Sequence, residues 1–477
     1  RAVGFDNKGG WAAVLNADAN FADVADLSLA GRMSTVGFGN VEDRVQERSI
    51  EETKQYNVAT NIQLGKMMPK NWQMQVPMSY SYGEEFRDPK YNPQYQDVLQ
   101  EEALNSDSEE IRDNAKNAQD YTRRKSISFI NVKKNRNPQS KKKPKFYDVE
   151  NLSVSYAFNE ESHKDFNIEK YINQNLTAGA SYNFNFKAFN IQPFKTSEKL
   201  KGKYWQWVRD FNFNPVPKTV AINSRINRNY NTQQSRNLVD GFTAQPELTQ
   251  RRYLFDWDYT IGFDLTKSLQ INFNATNNYI YDGFNNQEDV EIFDKFFTIG
   301  RANQYHQKLN STYKLPLNKL PFLGFLSADY AYTADFDWQS TSQSPEILEN
   351  VGNMIQNANT HNINTTFNFA RFYRDIKLEN LITKKNKRKP VAKGLPRGPR
   401  QVNAKKKKST GQKILKGFYD ILTSVKTGKI SYSENNGQLL PGYTPEFDFF
   451  GGPTTSFAFG SQVDIRNRAL QNGWLVS

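Results

Sequence analysis

From Phe255 onward the chain alternates without a break. Phe255, Trp257, Tyr259, Ile261, Phe263 and Leu265 hold one parity, and Asp256, Asp258, Thr260, Gly262, Asp264 and Thr266 hold the other. Successive side chains of an extended strand point to opposite faces, so this pattern predicts a strand with one apolar and one polar face. After the short turn Thr266, Lys267 and Ser268 the apolar parity resumes as Leu269, Ile271, Phe273, Ala275, Tyr279 and Tyr281. Opposite it run Gln270, Asn272, Asn274, Thr276 and Asn278. The two runs predict a hairpin.

The pattern recurs. Trp72, Met74, Val76, Met78, Tyr80 and Tyr82 alternate with Gln73, Gln75, Ser79 and Ser81. Ala328, Tyr330, Tyr332, Phe336 and Trp338 alternate with Ser327, Asp329, Thr333, Asp335 and Asp337. Further copies give about fourteen strands, starting near residues 10, 26, 56, 71, 124, 150, 174, 218, 252, 269, 303, 323, 360 and 421. Soluble strands average about 5 to 6 residues, whereas tilted membrane strands need about 9 to 11, the length most of these runs reach. Aromatic residues crowd the strand ends, as an interfacial girdle requires. The expected fold class is therefore all-β, a transmembrane antiparallel β-barrel segment with long loop insertions. A soluble β-sandwich or β-helix is the alternative, with these ring-rich faces in a dry core.

Composition bears on that choice. The chain has 477 residues, 37% of them hydrophobic, and a mean hydropathy of -0.78, yet it carries 34 Phe and 24 Tyr. Such aromatic content argues against a disordered chain. No apolar run reaches the roughly 18 to 20 residues of a membrane-spanning helix. A barrel strand needs apolar residues only at alternate positions, so low mean hydropathy is compatible with it. There is no cysteine, which excludes disulfides and thiolate chemistry. No signal peptide is visible after Arg1, and the chain reads as an interior piece of an exported protein.

The connections predict two sides. Tight ones near 20–25, 66–71, 266–268 and 316–321 fall after odd-numbered strands and are expected to be periplasmic; longer ones at 39–55, 83–122, 283–300 and 339–360 are expected to be extracellular. The 83–122 insertion is acidic, with helical composition over 99–120. Three expected periplasmic insertions are basic at 133–148, aromatic at 187–218 and basic at 375–418. The last contributes most of the net charge of +13. Its lysines lack interleaved aromatic residues, so no nucleic-acid partner is expected. The basic insertions read either as solvated loops or as docking sites for acidic periplasmic proteins or anionic head groups.

No catalytic constellation stands out. His163, His306 and His361 are isolated, with no HExxH, GxSxG or phosphate-binding glycine loop, so neither enzyme activity nor a metal or other cofactor is expected. Asp256, Asp258, Asp264, Asn272, Asn274, Asp329 and Asp335 are candidate lumen-facing residues. Phe255, Trp257, Tyr259, Ile271, Phe273, Tyr330 and Tyr332 are candidate lipid-facing residues.

Several motifs resemble the SprA family, called Sov in some relatives: the outer-membrane translocons of the type IX secretion system of Bacteroidetes. They are Asn40, Val41, Glu42, Asp43, Arg44; Pro77, Met78, Ser79, Tyr80, Ser81, Tyr82; Pro89, Lys90, Tyr91, Asn92, Pro93; Pro441, Gly442, Tyr443; and Phe459, Gly460, Ser461, Gln462. The resemblance implies one segment of a very large protein-conducting barrel in the outer membrane, exporting folded effectors and gliding adhesins to the cell surface. It implies as partners a PorV-type outer-membrane barrel, a periplasmic plug protein, effectors bearing a C-terminal sorting domain and, indirectly, inner-membrane motor components. A barrel would also contact the lipid bilayer and lipopolysaccharide. A porin or TonB-type receptor for small solutes is the alternative reading, and a soluble extracellular adhesin a third.

An open sheet of about fourteen strands leaves two unsatisfied edges in lipid. Either the first and last strands pair, or further wall lies beside them.

Overall fold

The computed structural model describes residues 9–39, 48–200, 202–238, 244–284, 290–341, 350–378 and 410–476. Of the sequence expectations, the motif at 40–44 and most of the 375–418 insertion lie outside these residues.

One continuous antiparallel sheet organises the chain. Its strands are β1 (Ala12–Phe21), β2 (Ala25–Ser34), β3 (Glu51–Gln63), the two-residue β4 (Met74–Gln75), β5 (Pro77–Pro89), β6 (Asp120–Lys134), β7 (Leu152–Lys164) and β8 (Ile168–Asn185). They continue as β9 (Thr219–Ser235), β10 (Leu248–Asp264), β11 (Leu269–Tyr281), β12 (Arg301–Leu315), β13 (Leu326–Ser340), β14 (Asn353–Asn368) and β15 (Thr427–Tyr443). Each long strand pairs with its sequence neighbours, and β4 joins the side of β6. Fourteen long strands thus lie in the order the alternation predicts, because a period of two is readable wherever one face is apolar. Among the described residues β1 pairs only with β2, and β15 only with β14. Closure of the first strand on the last is therefore not the arrangement found here.

We call the end carrying the β1–β2 and β10–β11 turns the lower rim, and the opposite end the upper rim. The expected division of short and long connections holds with two corrections. The β3–β5 connection at the lower rim, expected to be tight over 66–71, runs over 64–76, because Lys70–Trp72 forms a 3-10 turn and the long strand expected near 71 begins at Pro77. The β7–β8 connection lies at the upper rim yet is only 165–167, because β8 begins at Ile168 rather than near 174. Asp165 builds this tight turn locally, its carboxylate accepting the backbone N–H groups of Asn167 (2.7 Å) and Ile168 (2.6 Å).

The acidic insertion is shorter than 83–122, since β5 continues to Pro89 and β6 begins at Asp120. Within it the expected helical stretch forms helices Gln100–Leu104 and Glu109–Asn117. Lys133 and Lys134 of the first basic insertion are likewise strand residues. The strand expected near 421 begins at Thr427, because Thr410–Leu422 is helical.

Two coverings give the sheet its buried core. The described parts of the 282–300 loop, 282–284 and 290–300, fold onto β7–β10, burying Leu176, Tyr230 and Tyr253 beneath Val290 and Ile292. The C-terminal segment, 444–476, leaves the upper rim, descends over β10–β15 and returns to it. Tyr443 and Leu475 close that excursion as an isolated bridge. It buries Tyr259, Phe273, Tyr305, Phe336, Trp338 and Ile355 beneath Phe457, Ala458, Ile465 and Ala469.

Candidate functional site

Strand register sorts the alternation into two faces. Asp258 stands opposite Thr276 and Thr260 opposite Asn274; Asn274 faces Lys308, and Lys308 faces Asp335. By this register Asp256, Asp258, Asp264, Asn272, Asn274, Asp329 and Asp335 share one polar face, as their common parity requires. Polar partners hold several of these side chains. Asn223 donates to Asp258 (2.7 Å), Lys218 pairs with Asp264 (3.1 Å) and Lys308 with Asp335 (3.0 Å). His306 bonds Asp337 on this face (2.7 Å), and His163 bonds Thr122 (2.9 Å), whereas His361 bonds Tyr330 (2.8 Å) on the other. Each histidine is thus tied to a strand neighbour. Among the described residues no group of His, Asp and Glu is placed to hold a metal ion.

Phe255, Trp257, Tyr259, Ile271, Phe273, Tyr330 and Tyr332 share the opposite, apolar face, but not one environment. Tyr259 and Phe273 are 2% and 6% exposed because the C-terminal segment lies on them. Phe449 stacks on Tyr259 with ring centroids 4.1 Å apart, while Phe450 and Phe459 flank Phe273. Tyr332 donates its hydroxyl to the Phe459 carbonyl at 2.6 Å. The expectation that these three meet lipid is therefore corrected: parity fixes the face of a side chain, not what covers that face.

The docking of this segment uses polar side chains at positions of apolar parity. Gln307 Nε2 donates to the Ala458 carbonyl (2.8 Å). Asn357 Nδ2 donates to Phe457 (2.8 Å) and Ser461 (2.9 Å), and Asn359 Nδ2 to Gly460 (2.7 Å). Trp338 Nε1 reaches the Pro445 carbonyl at 3.0 Å. A buried irregular segment must have its carbonyls satisfied, and here the strands supply the donors. Sequence reasoning missed this surface. Its signal was present as Gln307, Asn357 and Asn359 interrupting the apolar parity. The Pro441, Gly442, Tyr443 and Phe459, Gly460 motifs fall where the segment turns and docks; Gly442 and Gly460 adopt φ of +77° and +90°.

Among the described residues of the 282–300 loop, Arg228 holds the carbonyls of 292–295, and Tyr253 donates its hydroxyl to the Val290 carbonyl at 3.1 Å. Arg228 is 3% exposed and donates from its guanidinium to the carbonyls of Ile292 (2.8 Å), Asp294 and Lys295 (2.7 Å), while lying over the Tyr253 ring. Toward the upper rim of β3–β8 the apolar face gives way to charge. Glu84 accepts the hydroxyls of Tyr56, Tyr82 and Tyr121, and Glu160 pairs with Lys125 (2.7 Å) and Arg123 (3.3 Å). Above β9, Glu247 lies outside the strands; hydrogen bonds from Thr232 (2.6 Å) and Lys170 (2.9 Å) hold its carboxyl below the usual range.

These features define a class: a long-stranded antiparallel β-wall with one charged face and one apolar face, the latter partly roofed by its own chain. Residues 1–104 match the family model SprA_N, described as motility related/secretion protein. That stretch contains the motifs at 40–44, 77–82 and 89–93, so the SprA resemblance is shown there by a second route. No curated protein matches the chain. Among solved structures, the chain is similar to the ferric-catecholate import receptor Fiu from E. coli K12. The closed form gives a TM-score of 0.24 at 9% identity, covering 75% of this chain and 57% of the receptor. The open form gives 0.25 at 9%, covering 75% and 58%. The chain therefore spans less than three fifths of the receptor's length.

Proposed function

We propose that this chain is part of the wall of an outer-membrane β-barrel that conducts secreted proteins, as a segment of a type IX secretion translocon. The observation that carries the reading is the two-faced sheet of fourteen long strands, joined to the SprA_N match over residues 1–104. A face bearing Asp256, Asp258, Lys308 and Asp335 is compatible with water and too costly for hydrocarbon. The uncovered apolar face, with Leu29, Tyr80, Val154, Ile222, Ile363 and Ile430 exposed, suits acyl chains.

Strand length supports the same assignment. From Leu176 to Phe184 on β8 the apolar parity spans nine residues, about 26 Å along the strand and about 20 Å along a barrel axis at the usual tilt. This approaches the apolar band of about 25 Å of known outer-membrane barrels. On this reading the lower rim is periplasmic and the acidic 90–119 loop extracellular. The open edges of β1 and β15 then take partner strands, since lipid leaves no other donor for their backbone groups.

Its proposed partners are a PorV-type barrel, a periplasmic plug protein and effectors with a C-terminal sorting domain. Depleting the protein in its native cell should trap secreted adhesins in the periplasm. Normal secretion after depletion, or sugar-selective swelling of liposomes holding the chain alone, would overturn this reading in favour of a small-solute channel.

A further inference from the structure

The lower rim between β14 and β15 holds two helical segments that serve no part of the wall. The first, Phe369–Asp375, continues directly from β14, its N-terminus capped by the Asn368 side chain accepting from Arg371 N–H (2.9 Å). The second, Thr410–Leu422, leads into β15. The backbone N–H of Ala370 reaches the carbonyl of Lys426, just ahead of β15, at 3.3 Å, which ties the start of the first segment to the chain leaving the second.

Between them lies a cleft of about 390 Å³ lined by Tyr373, Arg374, Lys377, Tyr419 and Lys426. Its three cations are exposed. None of them has a carboxylate partner among the described residues. The nearest acid on the first segment, Asp375, is taken by Arg371 at 3.6 Å. Asp420 is exposed on the second segment and does not line the cleft.

The second helix is also amphipathic. Ile414, Phe418 and Ile421 fall at i, i+4 and i+7, which is one face of a helix. All three side chains are exposed, at 65 to 71%. Tyr419, which lines the cleft, stands about 100° or more around the helix from that face, and Thr423 lines the cleft from the turn that follows the helix. An apolar face with cations along its flank is the arrangement of a helix lying in a bilayer interface, apolar side toward the acyl chains and cations at headgroup level. The same rim carries exposed Phe189, Tyr204, Trp205 and Trp207 in the 186–218 connection, residue types that favour that level.

We infer that Arg374, Lys377 and Lys426 form a headgroup site for an anionic phospholipid of the membrane leaflet at the lower rim, with the Ile414, Phe418 and Ile421 face embedded beside it. This rests on the membrane-wall reading above. Arg374 takes two phosphate oxygens in its planar fork, while the two lysines supply point charges. Tyr373 and Tyr419 also line the cleft.

The test uses the full chain reconstituted in vesicles of phosphatidylglycerol and phosphatidylethanolamine, then extracted and exchanged into fresh detergent. Phosphatidylglycerol that stays bound is measured by mass spectrometry. The triple variant Arg374→Ala, Lys377→Ala, Lys426→Ala should retain roughly tenfold less than the parent. Phe418→Ser should also retain less, while Lys377→Arg with Lys426→Arg should match the parent.

Equal retention by the triple variant and the parent overturns the site. Flotation of the same samples with vesicles separates the two levels of argument. The triple variant should float like the parent, because its wall is intact. If the parent does not float, the membrane wall itself is wrong and the site falls with it.

Discussion

Gln307 donates from Nε2 to the backbone carbonyl of Ala458 at 2.8 Å, and both residues are fully buried although 151 positions separate them. This bond places a polar side chain of β12 inside an aromatic face, where the returning C-terminal segment takes its amide N–H and the Tyr305 hydroxyl donates to its Oε1 at 2.7 Å. Gln307→Leu should fill the space and leave that carbonyl unsatisfied. Such a loss costs about 1 to 3 kcal/mol. Proteolytic cutting within 444–476 should accelerate roughly tenfold, at 1.4 kcal/mol per decade, with the strands still protected. An unchanged cutting rate would mean that the bond does not hold the segment.

Gly460 tests the same docking through shape. At its φ of +90° an added Cβ would stand 3.0 Å from Asn359 Cβ and 3.1 Å from Ala334 Cβ, and would collide with the Tyr332 hydroxyl. Strain of this kind costs about 1 to 3 kcal/mol, and the collision adds to it. Gly460→Ala should therefore loosen the segment at least as much as Gln307→Leu, with hydrogen exchange at Phe459 and Ser461 as the readout. Gly473, whose φ is +65° but whose Cβ would meet nothing, should show backbone strain alone as Gly473→Ala.

Arg228 anchors the 282–300 loop. Arg228→Met keeps much of the apolar stem but abandons the carbonyls of Ile292, Asp294 and Lys295. The expected loss is several kcal/mol, so amide protection over 290–296 should fall by roughly 100-fold or more. Protection in β9 and β10 should change little, since their ladder remains. Collapse of both together would show that the loop is integral to the sheet.

Ala180 and Ser181 are neighbours on β8 that point to opposite faces. Ala180 faces Val154 and Ser224 on the apolar side, and Ser181 faces Ser153 and Asn223 on the polar side. If lipid meets the apolar face, Ala180→Arg should destabilise the protein by about 2 to 4 kcal/mol in urea titrations in vesicles. Ser181→Arg should cost under about 1 kcal/mol. Equal costs would remove the lipid assignment.

Glu247 gives the pH dependence of the upper rim at β9–β10. Its carboxyl is held below the usual range by the Thr232 hydroxyl and Lys170. A carboxyl with a depressed folded-state pKa stabilises the fold above its unfolded value, near 4.3, and loses that contribution as pH falls through the folded value. Amide protection where the end of β9 pairs with the start of β10, at 231–233 and 248–250, should therefore decline below about pH 4.3 in the parent and be flat there in Glu247→Gln. At neutral pH the substitution should cost no more than about 1 kcal/mol, because the Lys170 pair is exposed.

The alternation of Phe255 to Leu265 against Asp256 to Thr266 determined the strands, their order and the face of each side chain. Local chemistry suffices for that, because a strand's period is two whatever its neighbours are. Parity alone groups Asp256, Asp258, Asn272 and Asp335 on one face, and composition alone favours helices in the acidic connection. Turn lengths were legible where an Asx turn or a hairpin fixes them, and least so at β8, whose polar start from Ile168 to Asn173 resembles a loop. What lies over a face was not legible. Phe449 reaches Tyr259 across 190 residues and Ala458 reaches Gln307 across 151, and no local pattern encodes contacts of that range. Only the tertiary structure decided that Tyr259, Phe273 and Tyr332 are covered by protein, and that Arg374, Lys377 and Lys426 converge at one cleft. Alternation specifies two surfaces, whereas burial depends on which distant segment returns to cover them.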